Sequence, residues 1–425
     1  MNIVRAQSRK AAEDTQIRRH RPDYWLVVIA VFLVAIGVTV VYAIGPALAA
    51  TNGGSGNYFV GRQMIAVLLS TVAFLVTARI PLNSWRKWQK PLLVLAGLGT
   101  LLALVTPKSE LYPAHRWIRL GSFSLQSVEI LKFALIIALA GFFAARVARG
   151  ELGNTERTLK PLGVAILVLL FVVAGPEKLH GQSDLGSMAV IVAFTGAMAV
   201  VAGMPMKRIA LIAAAVALVV VFVISISPYR RARLTSFMHP NCTVQGTGQS
   251  YQVCQALIAV GSGGIGGLGL GRSVQAYGYL PEAQNDSIFA IYAEKFGFIG
   301  GMVLLGLFVA LFARLRLIIE RTPDVFSRLV VVGVLAWLST QMIINIGAMI
   351  GLLPLKGITL PLVSYGGTSV LFVGAALGLV FQISHYTSFS SRNVQKSGGQ
   401  RIHDENSSDG RRKRRAYHPD LSDRA

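Results

Sequence analysis

Residues 261–286 read GSGGIGGLGLGRSVQAYGYLPEAQND, and residues 287–313 continue as SIFAIYAEKFGFIGGMVLLGLFVALFA. The second stretch is long and apolar enough to cross a lipid bilayer, for which a helix needs about 20 residues. The first stretch is polar and rich in glycine, and irregular backbone beside a membrane is typical of segments that line a cavity. The junction places the carboxylate of Asp286 at the mouth of a membrane helix. An ionisable side chain in that position is a functional-site hypothesis.

Apolar runs of this kind recur along the whole chain. Hydrophobic residues make up 53% of its 425 residues and charged residues 14%, a balance typical of proteins that cross a membrane several times. The sequence therefore predicts an all-α polytopic membrane protein with about ten transmembrane helices. The predicted spans are residues 24–44, 59–79, 91–106, 127–146, 161–175, 185–203, 208–227, 287–312, 328–350 and 367–387.

The formal net charge of +22 follows the positions of these spans and does not indicate nucleic-acid binding. Lys and Arg cluster before the first span and after every second one, whereas the loop at 45–58 has no charge. Positive residues of membrane proteins concentrate on the cytoplasmic side, so both termini are predicted to be cytoplasmic. The predicted external loops are 45–58, 107–126, 176–184, 228–286 and 351–366.

Composition divides the chain into three parts: a basic cytoplasmic N-terminal segment at 1–23, a membrane domain at 24–387 and a basic cytoplasmic tail at 388–425. The tail is polar and rich in Ser, Gly and Arg, which predicts disorder. Its run RRKRR at 411–415 either binds anionic lipid or a partner, or is a solvated part of the tail.

The two cysteines of the chain, Cys242 and Cys254, both lie in the long predicted external loop. Their confinement to that loop predicts one disulfide in an oxidising compartment. Two free thiols are the alternative.

The fourth predicted span carries polar residues before and inside it. Arg116 and Trp117 precede the span, and Glu129 and Lys132 lie three residues apart within it, on one face of a helix. The acidic and basic side chains either form a structural pair, each lowering the burial cost of the other, or line a polar cavity.

Two further polar segments lie on the predicted outer side. Gln182 and Asp184 begin the sixth span, where Asp184 is either a helix N-cap or part of the same cavity. Three arginines on the predicted outer side depart from the cytoplasmic location of positive charge in the rest of the chain: Arg230, Arg231 and Arg233. The planar guanidinium group suits a phosphate ligand, and contact with lipid headgroups is the alternative explanation.

Glycine and proline mark two irregular segments. Residues 351–367 hold two prolines and four glycines, so they predict a re-entrant or mouth-lining loop, in which Lys356 adds an external positive charge. The stretch 261–271 is not followed by Gly-Lys-Ser/Thr and lies in no βαβ unit, which excludes the usual nucleotide-binding loops. Its glycines let the backbone approach either a ligand or another helix closely.

Together these features place one carboxylate, several cations and an aromatic ring on the outer face. That set suits a substrate with a phosphate group and a lipid tail. The chemistry that it allows is glycosyl transfer from a lipid pyrophosphate, which needs a base for the acceptor hydroxyl and cations for the leaving group.

The segment YLPEAQND at 279–286 resembles the signature loop of the SEDS family (shape, elongation, division and sporulation), which are bacterial peptidoglycan glycosyltransferases. The likeness runs from about Trp25 to Gln382. It includes the motifs at 116–118, 126–132, 182–186, 229–237, 261–264 and 351–367. The form KGITLP at 356–361 is more similar to the division branch, FtsW, than to the elongation branch, RodA.

The resemblance implies a ten-helix fold that polymerises lipid II, the undecaprenyl-pyrophosphate-linked disaccharide-pentapeptide, on the outer face. It implies Asp286 as the catalytic base. The substrate-binding candidates are Arg116, Trp117, Glu129, Lys132, Gln182, Asp184, Arg230, Arg233, Glu282, Lys356, Ser364 and Tyr365. A divalent cation, Mg²⁺ or Mn²⁺, would help to neutralise pyrophosphate, although no ligand cluster in the sequence demands one.

The expected partners are a class B penicillin-binding protein transpeptidase, other membrane proteins of the divisome and membrane lipid. The expected location is the bacterial cytoplasmic membrane at the division septum. An elongation-type polymerase, a lipid II flippase and an inactive scaffold remain as alternatives. The chain also departs from the family pattern at Ala293-Glu294-Lys295, where a cation replaces the second acid of Gly-Glu-Glu.

Overall fold

The computed structural model describes residues 21–52, 57–106, 116–120, 123–175, 182, 184–239, 242, 249–354 and 357–386. These residues form twelve α-helices, one antiparallel hairpin and a π-helical turn at Thr155–Leu159. The strands are β1 (Trp117–Leu120) and β2 (Phe123–Gln126). The helices are α1 (Tyr24–Asn52), α2 (Asn57–Arg79), α3 (Leu82–Val105), α4 (Ser127–Arg149), α5 (Lys160–Ala174), α6 (Leu185–Ala202), α7 (Met206–Ser225), α8 (Pro228–Met238), α9 (Gln249–Ser262), α10 (Ile288–Arg321), α11 (Val325–Met349) and α12 (Gly367–Ser384).

Ten helices among the described residues are long and apolar enough to cross a membrane. They are α1 to α4, α5 with the π-helical turn before it, α6, α7 and α10 to α12. This confirms the all-α fold and the ten predicted spans. The long loop predicted before the eighth span contains two shorter helices, α8 and α9. The tail at 388–425 and most of the segment at 1–23 lie outside the described residues.

The start of the third span differs from its prediction. The apolar run suggested a start at residue 91, but α3 begins at Leu82 and continues through Pro91. The polar first turns of α3 pack against α4, because Trp85 is 4% exposed and contacts Phe133 edge-on, with ring centroids 5.8 Å apart. An aromatic contact of this kind holds a charged helical segment that hydropathy alone assigns to a loop.

Small residues let α2 and α12 pack closely. Gly374 and Gly378 lie one turn apart on α12, and a Cβ at these positions would lie 2.1 Å from Ser70 Oγ and 2.2 Å from Thr77 Oγ1. The hydroxyl of Ser70 donates to the carbonyl of Val370 at 2.8 Å. Close backbone approach and interhelical hydrogen bonds replace the hydrophobic effect as the attraction between helices in lipid.

The glycine-rich stretch folds against a break in α10. Gly297 has φ 64°, which interrupts the helix, and a Cβ on Gly267 would lie 2.2 Å from the carbonyl oxygen of Lys295. The amides of Leu268 and Gly269 donate to the carbonyls of residues 294 and 295, each at 2.9 Å. For Gly263 and Gly267, the structure shows the second of the two explanations, close approach to another helix.

The unusual lysine of the Ala293-Glu294-Lys295 motif belongs to the same arrangement. Lys295 Nζ donates to the carbonyl of Leu270 at 2.6 Å, and Glu294 accepts from the amides of Val274 and Gln275 at 2.9 and 3.2 Å. Both charged side chains therefore hold the glycine-rich segment against α10, the helix that begins shortly after Asp286.

Candidate active site

Asp286 lies two residues before α10 and faces a small half-open cleft. The cleft is lined by Asp286, Ile344, Asn345, Ala348, Met349, Gly357 and Ile358. The carboxylate oxygen Oδ1 is shielded from solvent and accepts no hydrogen bond from any residue that the structure describes. This oxygen can therefore accept a hydrogen bond from a donor that enters the cleft.

The environment raises the pKa of the Asp286 carboxyl to about 7. Burial is the largest cause, and the negative charge of Glu282 adds to it. The positive charge of Arg233 and the backbone amides of residues 286 and 287 act in the opposite direction. A carboxylate with a pKa near neutrality is suited to general-base catalysis near neutral pH.

Two amide side chains of α11 hold the walls of the cleft. Asn345 Nδ2 donates to the carbonyl of Asp286 at 2.7 Å and to that of Ile358 at 2.6 Å. Gln341, one turn earlier, donates to the carbonyl of Thr359 at 2.9 Å. Sequence reasoning did not identify these two residues. The available signal was a pair of polar amides four residues apart inside an otherwise apolar span.

Glu129 and Lys132 form a buried ion pair in α4. Their side chains are 4% and 1% exposed, and Lys132 Nζ lies 2.7 Å from Glu129 Oε1. Lys132 also donates to Gln341 Oε1 at 3.3 Å and lies 5.1 Å from the centre of the Trp337 ring. Neither charged residue lines the cleft. This geometry favours the structural alternative for the pair, with Gln341 as its connection to the loop beside Asp286.

The residues at the start of the fourth and sixth spans contact one another. Arg116 Nε donates to the carbonyl of Gln182 at 2.7 Å, and Gln182 Nε2 donates to Ser127 Oγ at 2.8 Å. Asp184 accepts from the amide and the hydroxyl of Ser187 at 3.0 and 2.8 Å. Asp184 is therefore the N-cap of α6, one of the two roles that the sequence allowed.

Arg230 points into the protein from α8. It is 5% exposed, and its guanidinium donates to the carbonyls of Ala174, Gly175 and Val223. Burial lowers the pKa of Arg230, and the positive charge of Arg116 adds to this effect. Two cations close enough to repel each other leave a positive field in this part of the protein.

The loop around Asp286 is tied to the loop at 357–366. The amide of Tyr365 donates to the carbonyl of Gln284 at 2.9 Å, and Ser364 Oγ accepts from the amide of Leu360 at 2.7 Å. The Tyr365 ring packs edge-on against Phe59, with centroids 5.7 Å apart. Ser364 and Tyr365 thus shape the loop that faces Asp286.

The remaining predicted residues occupy different positions. Glu282 is exposed, has φ 53° and accepts from the side-chain amide of Asn285. Trp117 is half-buried in β1, opposite Gln126 of β2, and does not line the cleft. Lys356 lies outside the described residues. The charges of Glu282 and Arg233 both act on the Asp286 carboxylate, in opposite senses.

Cys242 and Cys254 form a disulfide with a Cα–Cα distance of 5.6 Å. The bond joins the segment after α8 to α9. Cys254 is buried, and Gln252, two residues earlier on α9, donates through Nε2 to Ser287 Oγ at 3.1 Å. The disulfide therefore fixes a helix that contacts the residue next to Asp286.

Among the described residues, no group of three or more His, Cys, Asp or Glu side chains could hold a metal ion. The described residues that line the cleft include a single carboxylate, which does not make a dedicated Mg²⁺ or Mn²⁺ site. We therefore assign no chemical step to a protein-bound metal.

A family model described as "Cell cycle protein" and named for FtsW, RodA and SpoVE matches residues 24–389. This chain is a member of the SEDS family. Its relatives include the "Probable peptidoglycan glycosyltransferase FtsW" of Saccharophagus degradans, with 37% identity over 86% of this chain and 92% of that protein. The "Stage V sporulation protein E" of Bacillus subtilis is 33% identical over 88% of this chain and 99% of that protein.

Solved structures show the same SEDS fold. One chain, from work described as "Structural coordination of polymerization and crosslinking by a peptidoglycan synthase complex", superposes with a TM-score of 0.67. It is 25% identical and covers 85% of this chain and 97% of that one. The rod shape determining protein RodA of Thermus thermophilus superposes with a TM-score of 0.60 at 23% identity, over 87% of this chain and 98% of its own.

Membership of the SEDS family and the ten apolar helices make this chain a multi-pass membrane protein. Within the SEDS fold, the cleft at Asp286 lies between the start of α10, the end of α11 and the loop that leads to α12. The Asp286 carboxylate can accept a proton, and the positive charge of Arg233 on α8 acts on it. This combination is what a transfer reaction with an anionic leaving group requires.

Proposed function

We propose that this protein is a peptidoglycan glycosyltransferase that polymerises lipid II during cell division. The observation that carries the proposal is a carboxylate with a pKa of about 7, whose buried oxygen faces a cleft beside a cationic helix. Relatives of similar length that are named FtsW support the reaction and the division role.

In the proposed reaction, Asp286 removes the proton from the 4-hydroxyl of the acceptor sugar. The hydroxyl oxygen then attacks the anomeric carbon of the donor from the face opposite its pyrophosphate. A new carbon–oxygen bond forms, the bond to pyrophosphate breaks, and the configuration at the anomeric carbon inverts. The electron pair leaves with undecaprenyl pyrophosphate, and the proton stays on Asp286 until the cleft exchanges it with water.

The cations of the predicted outer loops receive the leaving group in this proposal. Arg233 acts electrostatically on Asp286, and Arg116 acts on Arg230, so the positive field extends from the cleft towards α8. Preorganised positive charge stabilises the charge that develops on a departing pyrophosphate. Lys356 and Trp117 keep their proposed roles in substrate contact, whereas Glu129, Lys132 and Asp184 hold the helices around the site.

The proposed topology follows from the charge pattern. Both termini lie in the cytoplasm, the membrane domain extends over 24–387, and the cleft opens on the outer face. We further propose a class B penicillin-binding protein transpeptidase as partner and the division septum as location. The similar fold of a chain from a peptidoglycan synthase complex supports such a partner.

The test is polymerisation of fluorescent lipid II by purified protein with its transpeptidase, read as glycan strands on a gel. We expect strands from the unchanged protein and none above background from Asp286→Asn. Arg316→Gln is the matched control, because Arg316 is 77% exposed, near the far end of the same helix, and pairs only with Glu320 in the described structure. Equal strand synthesis by Asp286→Asn would refute the proposal. Lipid II translocation in vesicles without strand synthesis would identify a flippase instead.

A further inference from the structure

Asn345 occupies a particular place in the cleft. It is 2% exposed and lies in the last turns of α11. Its side-chain amide nitrogen donates to two backbone carbonyls. One carbonyl belongs to Asp286 and the other to Ile358, on the opposite wall of the cleft. A single side chain thus connects α11, the segment before α10 and the loop that leads to α12.

The chemistry of its partners fixes the orientation of this amide. Both partners are carbonyl oxygens, which only accept, so the nitrogen must face them and Oδ1 must face away. Asn345 Oδ1 is buried and accepts no hydrogen bond within the described part of the chain. A rotated amide would place an oxygen against two carbonyl oxygens, so the side chain has one stable arrangement.

We propose that Asn345 is a positioning residue that holds the backbone of Asp286 so that its carboxylate remains in the shielded cleft. The inference rests on the proposed function, since it assigns Asn345 the task of aiming the base. Gln341 offers the natural comparison. It is an amide one turn away, equally buried, and it holds the neighbouring carbonyl of Thr359 but no atom of Asp286.

The consequence of losing Asn345 differs from that of a general loss of packing. Without the two hydrogen bonds, the Asp286 backbone is released and its carboxylate turns towards water. Burial is the main cause of the raised pKa, so the pKa should fall towards its ordinary value. A displacement of about 1 Å in a reacting group lowers a rate by about 100-fold. A purely structural role would reduce the amount of folded protein and leave this titration unchanged.

The first measurement needs no substrate. Carbodiimides react with protonated carboxyl groups, so the labelling of Asp286, read by mass spectrometry across pH, reports its titration. We expect the midpoint near pH 7 in the unchanged protein. It should fall by about one unit or more in Asn345→Ala, and stay within about 0.3 unit in Gln341→Ala. An unchanged midpoint in Asn345→Ala overturns the inference, as does an equal fall in both variants.

The second measurement uses lipid II polymerisation at saturating and limiting substrate. Asn345→Ala should lower kcat by about 100-fold with KM within about twofold, and should move the acidic limb of the pH–rate profile to lower pH. If Asn345→Ala does not fold, both measurements are made on Asn345→Ser. This variant keeps one donor, so it should give smaller shifts. A fall in rate with an unmoved acidic limb overturns the inference.

The two measurements separate this inference from the proposed function. A shifted labelling midpoint in Asn345→Ala, found together with no strand synthesis by the unchanged protein, supports the positioning role and refutes the glycosyltransferase proposal. Normal strand synthesis with an unshifted midpoint does the reverse.

Discussion

Asp286→Asn keeps the size of the side chain and removes both its charge and its ability to take a proton. The folded protein raises the pKa of this carboxyl from 3.8 to about 7, so it binds the proton more tightly than the unfolded chain by roughly three pH units. Each unit corresponds to about 1.4 kcal/mol, which sets an upper limit of about 4 kcal/mol on the penalty for keeping the ionised carboxylate in the folded state. Water at the open side of the cleft reduces this figure, and we expect about 1–2 kcal/mol.

The sign of the pH dependence follows from the raised pKa. The contribution of Asp286 to the stability of the unchanged protein should be greatest below the unfolded pKa of 3.8 and should be lost as the pH rises towards about 7, where Asp286 ionises in the folded state. The asparagine variant lacks this loss. Its melting temperature should exceed that of the unchanged protein at about pH 8, and the gap should narrow as the pH falls towards about 5.

The assay is thermal melting in lipid nanodiscs at both pH values, beside lipid II polymerisation. Removal of a general base typically lowers a rate by about 10²–10⁴-fold, so the variant should gain stability while it loses activity. A variant that melts below the unchanged protein at about pH 8 would show that the carboxylate stabilises the fold. That result would contradict the argument that burial raises its pKa.

Three further substitutions test other parts of the structure. Glu282→Gln should move the acidic limb of the pH–rate profile to lower pH and Arg233→Gln to higher pH, because their charges act on the catalytic carboxylate in opposite senses; shifts in the same direction would contradict this. Cys254→Ser should lower stability by about 3 kcal/mol in thermal melting without reductant, and added reductant should then have no further effect. Gly378→Ala should lower stability by about 1–3 kcal/mol because the new methyl group would meet the neighbouring helix, whereas Gly163→Ala, with open space around it, should melt like the unchanged protein.

The membrane helices could be predicted from the sequence because the bilayer sets their length and excludes charge from their centres. It also placed Asp286 at the mouth of a span and confined the cysteines to one loop. The start of α3 was wrong because the contact between Trp85 and Phe133 lies between two helices and leaves no trace in local hydropathy. Contacts of this kind exist only after the helices have packed.

The candidate site was harder to predict than the fold. The charges of Glu129 and Lys132 within an apolar span favour a functional role, but their ion pair lies away from the cleft. Asn345 carries no charge and lies within an apolar run, although it contacts both walls of the cleft. Its importance depends on which loops meet the end of α11, and that is a property of the tertiary structure.

The interlock between the glycine-rich stretch and the break in α10 restricts how this protein can evolve. A side chain at Gly297 would lie 2.3 Å from the amide nitrogen of Gly267, and one at Gly267 would meet the carbonyl of Lys295. The obstacles are backbone atoms, so no second substitution nearby can make room for the first. Both glycines must therefore be inherited together, whereas a side chain at Gly266 would meet open space, so that position is free to diverge. Sequence libraries built on this scaffold should hold that pair constant and vary Gly266.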